Sequence, residues 1–233
     1  MARYFALIPA AGTGSRFGAT TPKQYARIDG KAVLQHAIER LALGLPLERI
    51  YVVVSPDDAW FDREIASRSD VAVLRCGSTL RAQSVANAIA TLDDVDDDDW
   101  IAVHDAVRPC VDVDSLGRLQ RELANDPVGG LLAVPVAATL KRGDAQGRSV
   151  RTEPREGLWL AQTPQMFRYR VLREAFSRGG FEQSTDEAQA VEAMGARPRL
   201  VMGNAANLKI TYPDDLRLAQ LILAGLTQAR RAG

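Results

Sequence analysis

Short apolar runs and helical stripes alternate along this chain. Tyr4-Phe-Ala-Leu-Ile-Pro9 is a strand-like run bounded by Pro9, and Val33, Leu34, Ala37, Ile38 and Leu41 then recur at helical spacing up to Gly44. Ile50-Tyr-Val-Val-Val54 is a continuous, mostly β-branched run, the mark of a strand covered on both faces. A short helix over Trp60 to Ser67, a strand at Val71 to Leu74 and a helix over Leu80 to Leu92 follow. Next come a strand at Trp100 to Val103, a helix over Leu116 to Leu123 and a strand at Gly130 to Val136. Strands alternating with helices predict an α/β fold with a parallel sheet and right-handed crossovers.

The rhythm breaks over Ala137 to Glu156, a polar stretch centred on Lys141-Arg-Gly-Asp-Ala-Gln-Gly147. It predicts two extended arms joined by a glycine-containing turn. Such an arm has little to bury against its own domain, so it either docks on a partner subunit or stands as a surface hairpin. Order resumes with Leu158-Trp-Leu-Ala161 and Thr163-Pro-Gln165, then helices at Val171 to Phe176 and Thr185 to Met194. Leu200 to Met202 and Leu208 to Ile210 read as short strands, and Pro213 to Leu226 as a closing helix with proline in its first turn. With no repeat and no linker, residues 1–233 are expected to form one domain, including the arm at about 137–156.

At 233 residues and 46% hydrophobic, the chain can bury a full core. Lys and Arg total 29 against 29 Asp and Glu, which argues against a nucleic-acid footprint and leaves room for a local cationic pocket. Cys76 and Cys110 are the only cysteines, with no secretory signal before them, so no disulfide framework is expected. No apolar run approaches a membrane span. The expectation is a soluble cytoplasmic protein with no membrane or nucleic-acid partner.

The first strand leads into Ala10-Ala-Gly-Thr-Gly-Ser-Arg-Phe-Gly18 and then Thr21-Pro-Lys-Gln-Tyr25. Glycine and alanine let a backbone approach a ligand and aim its N–H groups at it, and Arg16 and Lys23 add two cations. That combination suits a polyphosphate. Two alternatives fit poorly. No Gly-Lys-Ser/Thr triplet opens a helix as a P-loop requires. The dinucleotide fingerprint wants an acid about 20 residues on, where Leu34 stands, and the next strand begins only near Ile50.

His104-Asp-Ala-Val-Arg-Pro109 directly follows the fourth strand, where ligands bind in open α/β sheets. Asp105 there either holds Mg²⁺ alongside substrate phosphates or pairs with Arg108 to brace a turn. His104 could be a base or, more simply, a structural histidine. Gly77-Ser-Thr-Leu-Arg-Ala-Gln-Ser84 opens the third helix and suits either a ligand or plain capping by Ser78 or Thr79. Ser184-Thr-Asp-Glu187 fits a capping box, with Thr185 free to face a ligand. Lys209, between Leu208 and Ile210, is an edge protector or a site cation. The acidic run at Asp93-Asp94 and Asp96 to Asp99 reads as a solvated loop.

Pro9-Ala-Ala-Gly-Thr-Gly-Ser-Arg16, Pro22-Lys-Gln-Tyr25, Arg81-Ala-Gln-Ser-Val85, His104-Asp-Ala-Val-Arg-Pro109, Gln162-Thr-Pro-Gln165, Thr185-Asp186 and Asn207-Leu-Lys-Ile-Thr211 occur in order over nearly the whole chain. As a set they resemble the 2-C-methyl-D-erythritol 4-phosphate cytidylyltransferases of non-mevalonate isoprenoid precursor synthesis. The resemblance implies a Rossmann-like nucleotidyltransferase fold, a mostly parallel sheet flanked by helices, with a protruding β-arm that clasps a homodimer. It implies CTP and a sugar-alcohol phosphate as substrates, and Mg²⁺ or another divalent cation. Ala10, Ala11, Gly12, Gly14, Gly77 and Ser84 would hold the nucleotide, and Arg16 and Lys23 would embrace its triphosphate. Asp105, Arg108, Thr163, Thr185 and Lys209 would line the sugar-phosphate side, with Asp105 the candidate metal ligand. Arg155 would reach from the arm into the neighbouring subunit's pocket. The family usually shows glycine where Ser78 stands, an acid where Gln83 stands, and often acids at Ala138 and Ala206. A ribitol 5-phosphate cytidylyltransferase and a dinucleotide-dependent oxidoreductase are the alternatives.

Overall fold

The computed structural model describes residues 2–12 and 21–232. Its centre is a seven-stranded sheet ordered β11-β7-β10-β6-β1-β4-β5. Strand β1 (Tyr4–Pro9) pairs in parallel with β4 (Leu47–Val53) and β6 (Trp100–Val103), and β4 in turn with β5 (Val71–Leu74). At the other side β7 (Gly129–Pro135) and β11 (Arg199–Met202) are parallel neighbours. One strand runs the other way: β10 (Trp159–Arg168) is antiparallel to both β6 and β7. The two pieces at which order was expected to resume, Leu158 to Ala161 and Thr163 to Gln165, thus lie, apart from Leu158, in one ten-residue strand.

Both faces of the sheet are buried, as the unbroken apolar runs require. Along β1, Ala6 and Ile8 enter one core while Phe5 and Leu7 enter the other, the period-2 alternation of a strand. The first core is closed by α1 (Val33–Gly44) and α4 (Val113–Leu123) through Leu34, Ile38, Leu41, Leu116 and Leu119. The second is closed by α3 (Arg81–Ile89), α5 (Tyr169–Ser177) and α6 (Glu187–Glu192). Helix α7 (Asp214–Ala232) covers a smaller cluster with Ala219 and Leu223. Each such leucine or isoleucine, once fully buried, contributes on the order of 1.5–3 kcal/mol.

Several expectations shift at their edges. Helix α4 starts three residues early because Asp112 caps it, accepting from Ser115 N at 2.7 Å. Helix α2 shrinks to Phe61–Glu64. A small hairpin, β2 (Arg27–Ile28) and β3 (Lys31–Ala32), turns through Asp29 and Gly30 at positive φ and was not legible in the apolar pattern. Leu208 to Ile210 is not a strand; Ile210 N donates to Val107 O at 2.9 Å and Ile210 packs under α7. The acidic run is a loop but not merely solvated. Asp99 is buried and receives Arg3 Nη2 at 2.6 Å, while Asp94 pairs with Arg49 at 2.8 Å and Asp97 with Arg173 at 2.8 Å.

The arm forms as two antiparallel strands, β8 (Leu140–Gly143) and β9 (Ser149–Glu153), almost wholly exposed. Among the described residues both cysteines are free thiols, and no helix is long and apolar enough to cross a membrane.

The order of connections locates the site. From β1 the chain moves outward through β4 and β5, then returns to β6 on the opposite side of β1. The crevice beyond the carboxyl ends of β1 and β6 is therefore a topological switch point, the place where such sheets bind ligands. Packing elsewhere leaves little slack. A Cβ on Gly44 would lie 2.4 Å from Leu116 Cδ1 and 2.9 Å from Leu116 Cβ, so the Leu116 side chain of α4 packs directly on the α1 backbone. Gly44→Ala is expected to lower stability by about 1–3 kcal/mol, the scale of overpacking. The urea midpoint checks this, and an unchanged midpoint would show that the helices can yield.

Candidate active site

Three segments build a cleft at the switch point. Residues Ala10 to Gly12 leave β1, and buried Gln24 fastens them by donating Nε2 to Ala10 O at 2.7 Å and Gly12 O at 3.1 Å. Gly77 packs beside them. A Cβ there would fall 2.4 Å from Ala11 Cβ and 2.7 Å from Val54 O, so only glycine lets the two loops touch. Ser84 then ties its helix to the loop: its hydroxyl accepts from Ser78 N at 2.9 Å. No side chain caps α3, whose N-cap is Leu80, so neither Ser78 nor Thr79 plays the capping role open to it. Ala10, Ala11, Gly12, Lys23, Ser78, Thr79, Ser84 and Lys209 line this cleft.

Its floor is a charge cluster on Asp105, at the end of β6. Asp105 Oδ1 accepts from Arg81 Nε at 3.0 Å; Oδ2 accepts from Lys209 Nζ at 2.9 Å and Arg108 Nε at 3.3 Å. Arg81 also grips Glu187 with both terminal nitrogens, at 2.6 and 3.1 Å. Arg108 reaches on to Asn207 O at 2.7 Å. Burial by itself would raise the Asp105 pKa, but Arg81, Lys209 and Arg108 outweigh it and hold the carboxyl well below its ordinary range. Burial would likewise lower Arg81, yet Glu187 and Asp105 raise it. The bracing pair Asp105–Arg108 therefore exists, inside a larger cluster that is net positive even before Lys23 is counted.

A second cleft adjoins the first and shares Arg81, Asp105 and Lys209 with it. Arg108, Thr163, Gln165, Thr185 and Asp186 line its other walls. Thr163 is held from both sides: its hydroxyl accepts from Asp105 N at 3.0 Å and donates to His104 Nδ1 at 3.0 Å. That assigns the proton of His104 to Nε2, which donates to Arg108 O at 3.0 Å.

Ten of the sequence-derived residues thus line or build one double cleft: Ala10, Ala11, Gly12, Lys23, Gly77, Ser84, Asp105, Arg108, Thr163 and Lys209. Thr185 joins them at the rim. Arg155 does not. It is exposed at the base of the arm and donates to Ala137 O. Gly14 and Arg16 lie outside the described residues. Arg81 and Gln24 belong to the site although the sequence did not single them out, and Glu187 joins them although the sequence read it as a capping acid. Glu187 is no capping-box acid, because Asp186 is the N-cap of α6, accepting from Gln189 N, and Glu187 turns inward to Arg81. The one signal for Arg81 and Gln24 was their place inside family-matching stretches.

Among the described residues no three His, Cys, Asp or Glu side chains converge on a metal position. Asp105 has both oxygens engaged by cations, so as found it is a counter-ion rather than a metal ligand.

His104 is fully buried, and burial lowers its pKa from the ordinary 6.5 to about 4. It is a neutral strut, not a base. Between those values the unfolded chain binds a proton that the folded chain refuses. Stability should therefore be highest above about pH 6.5 and fall, by about 1.4 kcal/mol per pH unit, as the solution is acidified toward pH 4. Urea midpoints at pH 7 and 4.5 are expected to show that loss, and a smaller one in His104→Asn; equal losses in both proteins would exclude His104 as its source.

The sequence model of the IspD family, 2-C-methyl-D-erythritol 4-phosphate cytidylyltransferase, matches residues 4–225. The enzyme of that name from Nitrosospira multiformis is 52% identical over 228 residues, covering 96% of this chain and 98% of its own. The one from Dechloromonas aromatica is also 52% identical, with the same coverage. Among solved structures, a 4-diphosphocytidyl-2C-methyl-D-erythritol synthase superposes with a TM-score of 0.85 at 39% identity, over 96% of this chain and 99% of that one. The Francisella tularensis 2-C-methyl-D-erythritol 4-phosphate cytidylyltransferase gives a TM-score of 0.82 at 33% identity, over 95% of this chain and all of its own. With those matches and a cationic double cleft at the sheet's switch point, the chain belongs to the 2-C-methyl-D-erythritol 4-phosphate cytidylyltransferases, a family of CTP-dependent nucleotidyltransferases.

Proposed function

We propose that the double cleft joins CTP and 2-C-methyl-D-erythritol 4-phosphate, giving CDP-methylerythritol and pyrophosphate, with CTP in the Ala10–Gly12 cleft and the sugar phosphate in the Thr163–Thr185 cleft. The observation that carries this reading is the sharing of Arg81, Asp105 and Lys209 between the two clefts, which brings two anionic substrates to one ring of cations. An oxygen of the sugar phosphate bonds to the α-phosphorus of CTP, and the bond from that phosphorus to the bridging oxygen breaks in line, releasing pyrophosphate. The nucleophile is already an anion at pH 7, so no side chain has to take a proton. Positioning and cancellation of charge are what the protein supplies.

In this scheme Ala10, Ala11, Gly12, Gly14, Gly77 and Ser84 shape the cytidine side. Lys23 and Arg16 meet the triphosphate, and Arg108, Thr163, Thr185 and Lys209 meet the sugar phosphate. Mg²⁺ goes with the reaction as a neutraliser of phosphate oxygens. It is a cation that favours octahedral oxygen ligands, and substrate phosphates and water supply them more readily than the engaged Asp105.

The arm, part of a single domain over residues 1–233, is assigned to a homodimer in the cytoplasm. Two features support the dimer. The arm strands bury almost nothing on their own subunit. Leu158, Leu160, Leu200 and Met202 are exposed at 44–56%, apolar side chains near the base of the arm, Leu200 and Met202 on one face of the sheet and Leu160 on the other, that a second copy would cover. Arg155, unused by its own cleft, is then available to the neighbour's.

Lys23→Ala is expected to lower turnover by at least about 10²-fold, the scale of removing one charge-stabilising donor. Pyrophosphate release measures it, and near-normal rates would remove Lys23 from the reaction. Arg155→Ala is expected to impair use of the sugar phosphate while leaving CTP binding intact. Mixed dimers of Arg155→Ala and Lys23→Ala subunits should recover part of the activity; confirmed heterodimers with none would refute sharing across the interface.

A further inference from the structure

Lys23 sits on a single 3₁₀ turn, Lys23–Tyr25, whose three side chains point in three directions about 120° apart. Two of those directions are fastened. Gln24 is buried and bonds Ala10 O and Gly12 O. Tyr25 is 1% exposed and donates its hydroxyl to Asp58 Oδ2 at 3.0 Å. Lys23 takes the third direction, into the nucleotide cleft, with Nζ 3.4 Å from Ile210 O.

Asp58 lies on the loop after β4, outside every stretch that carries the family resemblance, and lines neither cleft. It is nonetheless held from several sides. Its Oδ1 accepts from Trp60 N at 2.9 Å and Phe61 N at 2.8 Å, starting the four-residue helix α2. Arg75 donates to Asp58 O at 2.9 Å and to Asp62 at 2.8 Å. The Trp60 ring stacks on Tyr25 at 6.1 Å and 15°. A carboxylate fixed this way on the body of the domain is a rigid anchor for the Tyr25 hydroxyl. Burial, then the neighbouring Asp58 charge, push that hydroxyl's pKa up, so it remains a donor.

We infer that Asp58 is a positioning residue for the reaction: through the Tyr25 hydroxyl it fixes the turn from which Lys23 reaches the triphosphate. The inference rests on the role proposed above for Lys23. A lysine has four rotatable bonds, so its ammonium is aimed only as well as its Cα is placed. Losing the Asp58–Tyr25 bond leaves Tyr25 held by burial and the Trp60 stack alone, with no directional side-chain bond to set the turn.

Tyr25→Phe is the test, because it deletes one oxygen and keeps the ring, the stack and the Asp58 caps. In the full-length enzyme with CTP, Mg²⁺ and the sugar phosphate, kcat should fall about tenfold, within the range that small misplacements cost. The KM for the sugar phosphate should stay within about twofold, since Lys23 serves the nucleotide side. Asp58→Asn should show the same split. The decisive readout is the cycle with Lys23→Ala: in that background Tyr25→Phe should change kcat by less than about twofold, which a general structural role would not produce. A wild-type kcat in Tyr25→Phe, or a loss that multiplies fully with that of Lys23→Ala, overturns the inference and leaves the proposed role of Lys23 standing. A near-normal rate in Lys23→Ala overturns both. Should Asp58→Asn fail to fold, the Tyr25→Phe cycle decides by itself; should it fold with a wild-type rate, the anchor is not Asp58.

Discussion

One carboxylate makes the cationic site possible. Arg81, Arg108 and Lys209 converge on Asp105, and without it each would repel the others. Two like charges about 4 Å apart cost on the order of 4 kcal/mol at an effective dielectric of 20, so such a cluster cannot be assembled from cations by themselves. Asp105 offsets that cost, and its depressed pKa keeps it ionised throughout the neutral range. The same contacts join separate parts of the fold. Arg81 opens α3, Arg108 follows β6, Lys209 comes from the segment before α7, and Glu187 ties α6 to Arg81. Electrostatic preorganisation and tertiary closure are here the same set of bonds.

The position of the histidine agrees with a scheme in which no side chain has to take a proton. His104 stands beside Asp105 in sequence and could be mistaken for a catalytic partner. Its two nitrogens are instead spent on Thr163 and Arg108 O, and burial keeps it neutral. It orients the Thr163 hydroxyl, which receives the Asp105 N–H, and so fixes the backbone under the carboxylate. A protein that transfers a cytidylyl group from pyrophosphate to a second phosphate needs that rigidity more than it needs a proton acceptor.

What was legible in the sequence divides along physical lines. Strands β1, β4 and β6 announce themselves because both faces are buried, and α1 because its apolar stripe is uninterrupted. Strand β10 hid because Gln162, Thr163 and Gln165 occupy buried positions that ordinarily take apolar residues. They are tolerated because distant groups satisfy much of their bonding: Gln165 bonds Asp186 and Ala188 N, and Thr163 bonds His104. Leu208-Lys-Ile210 misled in the opposite sense. Its alternation is genuine, but Ile210 enters the cluster under α7 while Lys209 turns to Asp105, so the pattern belongs to an irregular segment. Glu187 was misread as a cap because its partner, Arg81, is 106 residues away, beyond any local rule. Ala10–Gly12 and the His104–Pro109 segment were legible as a place for a site, since each sits where a strand of an open sheet ends.

The cluster also sorts its cations by how firmly each is held. Arg81 is clamped by two carboxylates, and Arg108 by Asp105 and Asn207 O. Among the described residues Lys209 has the single bond to Asp105, and its side chain is 41% exposed against 26% for Arg81 and 12% for Arg108. An arriving phosphate thus meets two guanidinium groups that cannot swing and one ammonium that can. In the proposed scheme the fixed pair would set the geometry that in-line attack demands, and lysine, with its compact charge on a flexible stem, would follow the substrate. Because Lys209 borders both clefts, whichever anion draws it away from Asp105 alters the charge felt by the other. The proposed placement of the two substrates would therefore couple them electrostatically through Lys209.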